Sequence, residues 1–362
     1  MVAGETSGDV HAGNLVAALK SLVPDLDVWA VGGQNLARAG AKVAFPSSAI
    51  ASMGLVEVVG RLGSLLKAKN LVVDRFRRNR PDLFVPVDFG GLNLKLAAEA
   101  KKLGIPVLYF IPPKAWAWGS GRVAKVRERV DGVLTILPFE NDFWTAHGVE
   151  ARYVGSPILD HLKARAYSRE PGVIALLPGS RVGEIERIWP PMAKAARLLA
   201  ARGGLRFLVA AAEGLPEGLP DPDPICGLDF EVLRGNSQEA MERASLALVA
   251  SGTATLECAL LGTPMVAVYN VSPVTLFVAR LAVKAKYIAL PNLIAGREIV
   301  PELIQADGAL IAETAGKLLD DPIGYANMIE NLNSVRLALG DAGASLRAAA
   351  QIAGFLDGGR LS

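Results

Sequence analysis

Short apolar runs alternate with helical patterns along most of the chain, and this alternation constrains the fold more than any other feature. Strands are predicted at Leu83–Val87, Ile105–Ile111 and Val133–Leu137, and an amphipathic helix runs from about Leu92 to Leu103 between the first two. Continuous apolar runs of this length are typical of parallel strands that helices cover on both faces. The first part of the chain is therefore predicted to be a doubly wound α/β domain.

The same rhythm restarts after Glu170–Gly172, which marks a domain boundary. A helix from Ala254 to Leu261 is closed by Gly262, which suits a helix C-terminus. The predicted strands of this second part are Val173–Leu177, Leu205–Ala211, Leu246–Ala250 and Met265–Tyr269. We therefore predict two Rossmann-like α/β domains, residues 1–165 and 166–335, with a cleft between them. The helical segment 336–362 is expected to pack back on the first domain.

Composition excludes several classes of protein. The 362 residues carry 38 basic and 36 acidic side chains, so the net charge of +2 gives no reason to expect a nucleic-acid partner. The chain is 51% hydrophobic, yet it has no uninterrupted apolar run long enough to predict a transmembrane helix. The first residues lack the basic and apolar parts of a secretory signal, so a cytoplasmic location with reduced Cys226 and Cys258 is expected. Three scattered His give no metal-ligand spacing, and no metal or other cofactor is expected.

The segment Ala250–Glu257 follows a predicted strand and opens a helix. Its small residues Ser251, Gly252 and Thr253 would let a ligand approach the backbone, and free N–H groups at a helix start attract anions. Ser251 or Thr253 could instead cap the helix. Capping does not explain Glu257 one turn further on, which could meet sugar hydroxyls.

Two further residues follow predicted strands. Arg181, in the loop that starts at Pro178, could bind phosphate oxygens as a fixed cation, or be an ordinary surface arginine. Asp88 lies at the carboxyl end of a buried strand, where open α/β sheets bind ligands. Its carboxylate could act as a general base, or merely cap the next helix or form a turn.

The segment Arg61–Arg80 carries seven basic residues against one acidic residue, Asp74. Leucine, valine and phenylalanine residues are interspersed, and the apolar stretch Met53–Val59 comes just before it. A basic amphipathic helix beside an apolar patch suits an anionic membrane surface, although a solvated helix face is the commoner meaning of such a pattern. Thr275–Lys286 is a second candidate for membrane contact.

Read together, these motifs resemble one family, the lipid-A-disaccharide synthases, which are glycosyltransferases with the GT-B fold. The matching segments follow the family's order and cover nearly the whole chain: GETSGD (4–9), SMGLVEV (52–58), RPDLFVPVDFGGLN (80–93), AWAWGSGRV (115–123), LPFENDFW (137–144), LPGSR (177–181), ASGTATLE (250–257) and YIALPNLIAGREIVPELIQ (287–305). The chain departs from the family pattern at Ser156, where a His is usual, and at Ile111–Lys114.

The resemblance implies an activity and a location. The reaction would transfer 2,3-diacylglucosamine, with inversion, from UDP-2,3-diacylglucosamine to 2,3-diacylglucosamine 1-phosphate (lipid X), releasing UDP. The enzyme would act as a peripheral protein at the anionic inner face of the cytoplasmic membrane. Residues 1–165 would bind the acceptor and face the membrane, and residues 166–335 would bind the UDP-sugar. The oligomeric state stays open, with a homodimer among the alternatives.

The resemblance also implies roles for particular residues. Asp88 is the candidate catalytic base. The UDP-sugar side comprises Arg181, Ser251, Gly252, Thr253, Glu257, Asn292 and Glu298.

Two rival functions remain at this stage. Another UDP-sugar transferase or a nucleotide-sugar epimerase would share only the nucleotide-binding loops, and would not need the patch at 53–80. A two-domain binding protein of the periplasmic type would need a secretory signal, which the first residues do not show.

Overall fold

The computed structural model describes residues 1–50, 55–118, 120–162, 166–272, 276, 285–359 and 361, and for residues 6, 55–62, 118 and 120 it describes the backbone alone. The chain divides into two compact units. Unit 1 contains Met1–Asp160 and Gly340–Ser362, and unit 2 contains His161–Leu339. Each unit is built around its own parallel sheet.

Unit 1 has a seven-stranded sheet. Its strands are β1 Val2–Ala3, β2 Trp29–Gly32, β3 Lys42–Pro46, β4 Pro86–Val87, β5 Leu108–Phe110, β6 Gly132–Thr135 and β7 Ala151–Tyr153. They lie in the order β3-β2-β1-β4-β5-β6-β7, and every pairing is parallel. The strand predicted at Leu83–Val87 is shorter in the structure, where Pro86 cannot donate a ladder hydrogen bond and Phe84 forms an isolated bridge with Val107.

Helices cover both faces of this sheet. They are α1 Thr6–Leu22, α2 Gln34–Arg38, α3 Leu55–Arg78, α4 Gly90–Lys102, α5 Ala115–Trp118, α6 Ser120–Arg129, α7 Pro138–Ala146 and α8 Pro157–His161. Two separate clusters of buried apolar side chains result, one on each face. This arrangement explains why the strand sequences are apolar without alternation.

Unit 2 has a six-stranded parallel sheet. Its strands are β8 Glu170–Leu177, β9 Arg206–Ala211, β10 Phe230–Arg234, β11 Ala244–Ala250, β12 Met265–Tyr269 and β13 Glu302–Ile304, in the order β10-β9-β8-β11-β12-β13. The helices are α9 Val182–Ala200, α10 Ser237–Arg243, α11 Thr253–Leu260, α12 Leu290–Ala295, α13 Gly308–Asp320 and α14 Pro322–Leu339. The predicted class, two doubly wound α/β units, is confirmed.

The last helix, α15 Ala344–Leu356, belongs to unit 1. Its residues Ala348, Ala349 and Ile352 are buried in the same apolar cluster as Leu15 of α1. The Asp160 carboxylate accepts hydrogen bonds from the backbone N–H groups of Gly343, Ala344 and Ser345 at 2.6–3.1 Å, which are the N–H groups that a helix start leaves unpaired. Partial burial acts to raise the pKa of Asp160, but these N–H groups and the Ser345 hydroxyl together outweigh it and hold the pKa below its usual value.

Within the residues that the structure describes, no helix is both long enough and apolar enough to cross a bilayer.

Candidate functional site

A cavity of about 480 Å³ lies at the carboxyl edge of the unit 2 sheet. The loops that follow β8, β9, β10 and β11 all contribute to its wall. The lining residues are Leu177, Gly179, Ser180, Arg181, Glu184, Ala210, Ala211, Ala212, Glu213, Gly235, Ser237, Ala250, Ser251, Gly252, Thr253, Ala254 and Glu257. Five of the residues that the sequence assigns to the UDP-sugar side therefore lie together: Arg181, Ser251, Gly252, Thr253 and Glu257.

The strand order explains why a cavity forms here. From β8 the chain moves to β9 and β10 on one side, and then returns to β11 on the other side of β8. The loops after β8 and β11 therefore diverge and leave a crevice between them. Open α/β sheets bind ligands at this kind of switch point, outside the carboxyl ends of the strands.

Arg181 occupies the residue position just before α9, and its side chain is exposed at the cavity wall. The preceding turn needs Gly179, which has φ +114° and whose missing Cβ would overlap the carboxylate of Glu184. Burial raises the pKa of Glu184, although the Ser180 and Arg181 backbone N–H groups donate to its carboxylate and oppose that shift. Arg181 thus stands at a helix N-terminus with its backbone fixed by a glycine turn.

The loop before α11 offers backbone and hydroxyl groups to the cavity. The helix begins at Thr253 after Gly252, and no side chain caps it, so capping does not account for the serine and threonine of this motif. The Thr255 hydroxyl donates to the Gly252 carbonyl at 2.7 Å. The Ser251 Oγ is buried at the cavity wall and has no hydrogen-bond partner among the described residues. An uncapped helix start beside an unsatisfied hydroxyl suits an anionic, hydrogen-bonding ligand.

Glu257 lies one turn inside α11 and lines the same cavity. Its carboxylate is partly buried, and burial raises its pKa. The other carboxylates of the wall belong to Glu184 and Glu213, so the cavity is not strongly basic. Anion binding here would depend on Arg181 and on backbone N–H groups rather than on a cluster of cations.

Asn292 and Glu298 lie outside this cavity. Asn292 is fully buried in α12, and its amide group donates to the Val300 carbonyl at 2.8 Å and to Glu302 Oε1 at 2.7 Å. Its oxygen accepts from the Ile299 and Val300 N–H groups. Both ends of the carboxamide are therefore used within the protein, and Asn292 shapes the segment before β13. Glu298 is exposed on the loop after α12.

Asp88 lies in unit 1, directly after β4, at the carboxyl edge of that sheet. Its backbone is left-handed with φ +47°, and the next residue, Phe89, is left-handed too with φ +52°. The Asp88 carboxylate accepts a hydrogen bond from the Phe89 N–H at 2.8 Å. The carboxylate is therefore held by its own turn and does not cap α4, whose start has no side-chain cap. Backbone strain of this kind is concentrated at functional sites.

The GETSGD segment, in which α1 begins at Thr6, also lies beside Asp88. A Cβ at Gly4 would overlap the Phe89 ring, and one at Gly8 would come within 3.9 Å of the Asp88 Cβ. Asp9, in the first turn of α1, is buried and accepts from the N–H groups of Gly33 and Asn35 at 2.5 and 2.9 Å. The glycines thus make room for the Asp88 turn, while Asp9 fixes α1 to the start of α2.

The tryptophan-rich motif of unit 1 contributes a structural hydrogen bond. The Trp116 indole N–H donates to Glu140 Oε1 at 3.0 Å, and the ring packs edge-on against Phe139. Glu140 is 2% exposed, and burial raises its pKa. The other motif tryptophan, Trp118, ends α5, and its side chain lies outside the described residues.

The described residues include only part of the two segments predicted to contact a membrane. Met53 and the side chains of Leu55, Val56, Val58 and Val59 lie outside the described residues, as does most of Thr275–Lys286. In the described part of α3, Lys67, Arg77 and Arg78 are exposed, as is Leu66 at 57%. Arg75 of the same helix is half-buried, with its guanidinium carbon 5.9 Å from the centre of the Trp29 ring.

A family model described as lipid-A-disaccharide synthetase matches residues 1–321. The lipid-A-disaccharide synthase of Myxococcus xanthus is 39% identical over 375 residues, which cover 100% of this chain and 98% of that protein. The enzyme of the same name from Pseudomonas savastanoi pv. phaseolicola is 38% identical and covers 89% of this chain and 88% of its own.

Solved structures show the same fold at low identity. A glycosyltransferase of kitacinnamycin has a TM-score of 0.63 at 15% identity, covering 98% of both chains. The UDP-GlcNAc 2-epimerase of Neisseria meningitidis, solved with UDP-GlcNAc bound, has a TM-score of 0.58 at 10% identity and also covers 98% of both chains. These likenesses confirm the GT-B fold.

Proposed function

The chain belongs to the lipid-A-disaccharide synthase family of glycosyltransferases, which act in lipid A biosynthesis, and from this premise we propose its reaction. It transfers 2,3-diacylglucosamine from UDP-2,3-diacylglucosamine to the 6-hydroxyl of lipid X. The products are a β-1′,6-linked disaccharide 1-phosphate and UDP. The observation that carries the proposal is the unit 2 cavity, which brings Arg181, Ser251 and Glu257 together at the switch point of the sheet.

Unit 2 binds the donor in this proposal. The diphosphate of UDP carries negative charge that grows as the sugar–phosphate bond breaks. Arg181 and the uncapped start of α11 stabilise that charge without a metal ion. Glu257 accepts hydrogen bonds from hydroxyl groups of the nucleotide sugar. The structural neighbour from Neisseria, which holds UDP-GlcNAc in the same fold, supports a nucleotide-sugar ligand.

Unit 1 supplies the base. The acceptor oxygen forms a bond to the anomeric carbon of the donor sugar while the bond from that carbon to the UDP oxygen breaks. The acceptor hydroxyl loses its proton to the Asp88 carboxylate. A single displacement of this kind inverts the anomeric configuration, and it needs one base and one stabilised leaving group. The strained turn that presents Asp88 at the carboxyl edge of its sheet supports this role.

Both substrates carry acyl chains, so the enzyme must collect them from a membrane. We assign this contact to α3, in which Lys67, Arg77 and Arg78 are exposed together with Leu66. Basic side chains bind anionic lipid headgroups, and apolar side chains add burial at the acyl boundary. The enzyme therefore acts at the cytoplasmic face of the membrane as a peripheral protein.

Incubation with donor, with and without lipid X, tests the proposed reaction. We expect UDP and a disaccharide 1-phosphate to form in equal amounts, and only when both substrates are present. An epimerase would convert a UDP-sugar without an acceptor. Conversion of the donor alone, or UDP release with no disaccharide, would contradict the proposal.

A further inference from the structure

The left-handed turn at Asp88 and Phe89 cannot persist unless its surroundings hold it. Neither residue is glycine, and both have positive φ, at +47° and +52°. L-residues with side chains of this kind populate that region sparsely, and two in succession are rarer still. Some fixed contact must therefore determine the direction in which the Asp88 side chain leaves the sheet.

Two buried side chains make that contact, and both reach the same atom. The Tyr109 hydroxyl donates to the Asp88 carbonyl oxygen at 2.7 Å, and the Asn93 amide donates to that oxygen at 2.7 Å. Both residues are 0% exposed. The Asn93 amide also reaches the carbonyl groups of Val87 and Val2 at 3.3 and 3.2 Å, so it joins β4 and β1 at the point where the turn begins.

The elements that carry these two residues flank the turn. Tyr109 is the middle residue of β5, the strand that pairs with β4, and Asn93 lies in the first turn of α4, which follows Phe89. The Phe89 ring packs against Gly4, in the space that a Cβ at Gly4 would occupy. This contact also holds the turn. The Asp88 carbonyl is therefore fixed from a strand and from a helix, while its carboxylate accepts from the Phe89 N–H.

We propose that Tyr109 and Asn93 are positioning residues for the transfer reaction: by fixing the Asp88 carbonyl they hold the left-handed turn and aim the Asp88 carboxylate. The inference rests on the proposed function, because it takes Asp88 as the base. Neither side chain needs to touch a substrate for this role. A displacement of the base by about 1 Å can cost roughly 10²-fold in rate, so two hydrogen bonds on its backbone have a catalytic effect beyond stability.

Tyr109→Phe is the sharpest variant, because it removes one hydroxyl and keeps the buried ring. We expect kcat to fall by about 10- to 100-fold while KM for both substrates and the Kd for UDP stay within about twofold. Thr135→Val is the matched control. It removes a buried hydroxyl that donates to the Arg152 carbonyl in the same sheet, away from Asp88. Asn93→Leu should lower kcat in the same way. If Asn93→Leu does not fold, the kcat of Tyr109→Phe tests the inference by itself.

A double-mutant cycle separates positioning from stability. Combined with Asp88→Asn, Tyr109→Phe should lower kcat by less than about twofold further, because there is no base left to aim. Equal losses in Tyr109→Phe and Thr135→Val, or a full further loss in the Asp88→Asn background, would overturn the inference. Where the Asp88→Asn rate is below detection, the comparison with Thr135→Val decides. Absence of transfer by the wild-type protein would instead refute the proposed function, whereas transfer by Asp88→Asn at a near-wild-type rate would refute both the choice of base and this inference.

Discussion

Arg181 is the described side chain in the unit 2 cavity that brings a positive charge to it. Arg181→Ala should weaken UDP binding and slow transfer, because the leaving group loses a charged donor. We expect a loss of about 3 kcal/mol in transition-state stabilisation, roughly 10²-fold in kcat/KM. Calorimetry with UDP and steady-state kinetics measure the two effects. Arg187→Ala, an exposed arginine further along α9 that does not line the cavity, serves as control. Equal effects of the two substitutions would remove Arg181 from the site.

Glu257 should make stability depend on pH in a direction that its burial fixes. Burial raises the pKa of Glu257 above the ordinary value of 4.5, so the folded protein holds this proton more tightly than the unfolded chain does. Its stabilising contribution is then complete below pH 4.5 and is lost as pH rises through the folded pKa. Glu257→Gln does not titrate, so the Tm of this variant minus that of the wild type should increase with pH over that window. The exposed Glu186→Gln on α9 controls for the lost charge, and a difference independent of pH would contradict the argument.

At the residue scale, the sequence predicts which side chains lie at strand ends, but it does not predict which side chains form hydrogen bonds within the protein. Arg181 and Glu257 follow apolar strands by a few residues, and the rules for parallel sheets are enough to bring them to one edge. Asn292 belongs to a motif of the family, yet the structure shows its carboxamide bonded to backbone groups and to Glu302. Tyr109 reads as one more apolar residue of a buried strand. The hydrogen bond from its hydroxyl to the Asp88 carbonyl depends on a left-handed turn, and no residue pattern predicts that turn.

At the scale of elements, the GETSGD segment packs against the turn that carries Asp88. A methyl group at Gly4 would overlap the Phe89 ring, so Gly4→Ala should displace that ring and the adjacent base. We expect kcat to fall by about 10-fold or more with little change in UDP binding. Gly91→Ala is the control, since a Cβ there meets nothing within 4 Å. If both variants keep wild-type kcat in a transfer assay, the close approach at Gly4 does not position Asp88.

Helix α3 should bind anionic vesicles through its exposed basic residues. Arg77→Glu/Arg78→Glu should reduce co-sedimentation with such vesicles, because each basic side chain near an anionic surface contributes roughly 1 kcal/mol. Wild-type binding should fall as salt is added but not to zero, since apolar burial is not screened. Lys194→Glu/Lys317→Glu makes the same change of charge at exposed positions in unit 2. Equal loss in both double variants would show that net charge, and not α3, drives binding.

In unit 2 the sequence predicts the interior strands better than the edge strands. Val173–Leu177 and Met265–Tyr269 are continuous apolar runs, as strands covered on both faces must be, and both lie within observed strands. β3 and β10 are edge strands of their sheets, with half-exposed, alternating sequences that no apolar run marks. An edge strand pairs with one neighbour only and is partly exposed to solvent, so it lacks the continuous apolar run from which a strand is predicted.

At the scale of the whole molecule, the two parts of the proposed reaction belong to different units. In the proposed reaction the cavity of unit 2 binds the nucleotide, and unit 1 supplies Asp88 as the base from its strained turn. Substitutions in unit 2 should therefore affect UDP binding, and substitutions at the base in unit 1 should leave UDP binding unchanged. Arg181→Ala affects nucleotide affinity and rate together, whereas a change at Asp88 should affect the rate alone.

The most direct measurement is the rate of transfer and the affinity for UDP in Asp88→Asn, determined on the same preparation. Asparagine keeps the size of the side chain and can still accept from the Phe89 N–H, but it cannot take a proton. The role of Asp88 as the base predicts a rate lower by about 10²–10⁴-fold, with a Kd for UDP equal to that of the wild type. Transfer at near-wild-type rate, or a loss of UDP affinity as large as the loss of rate, would contradict it.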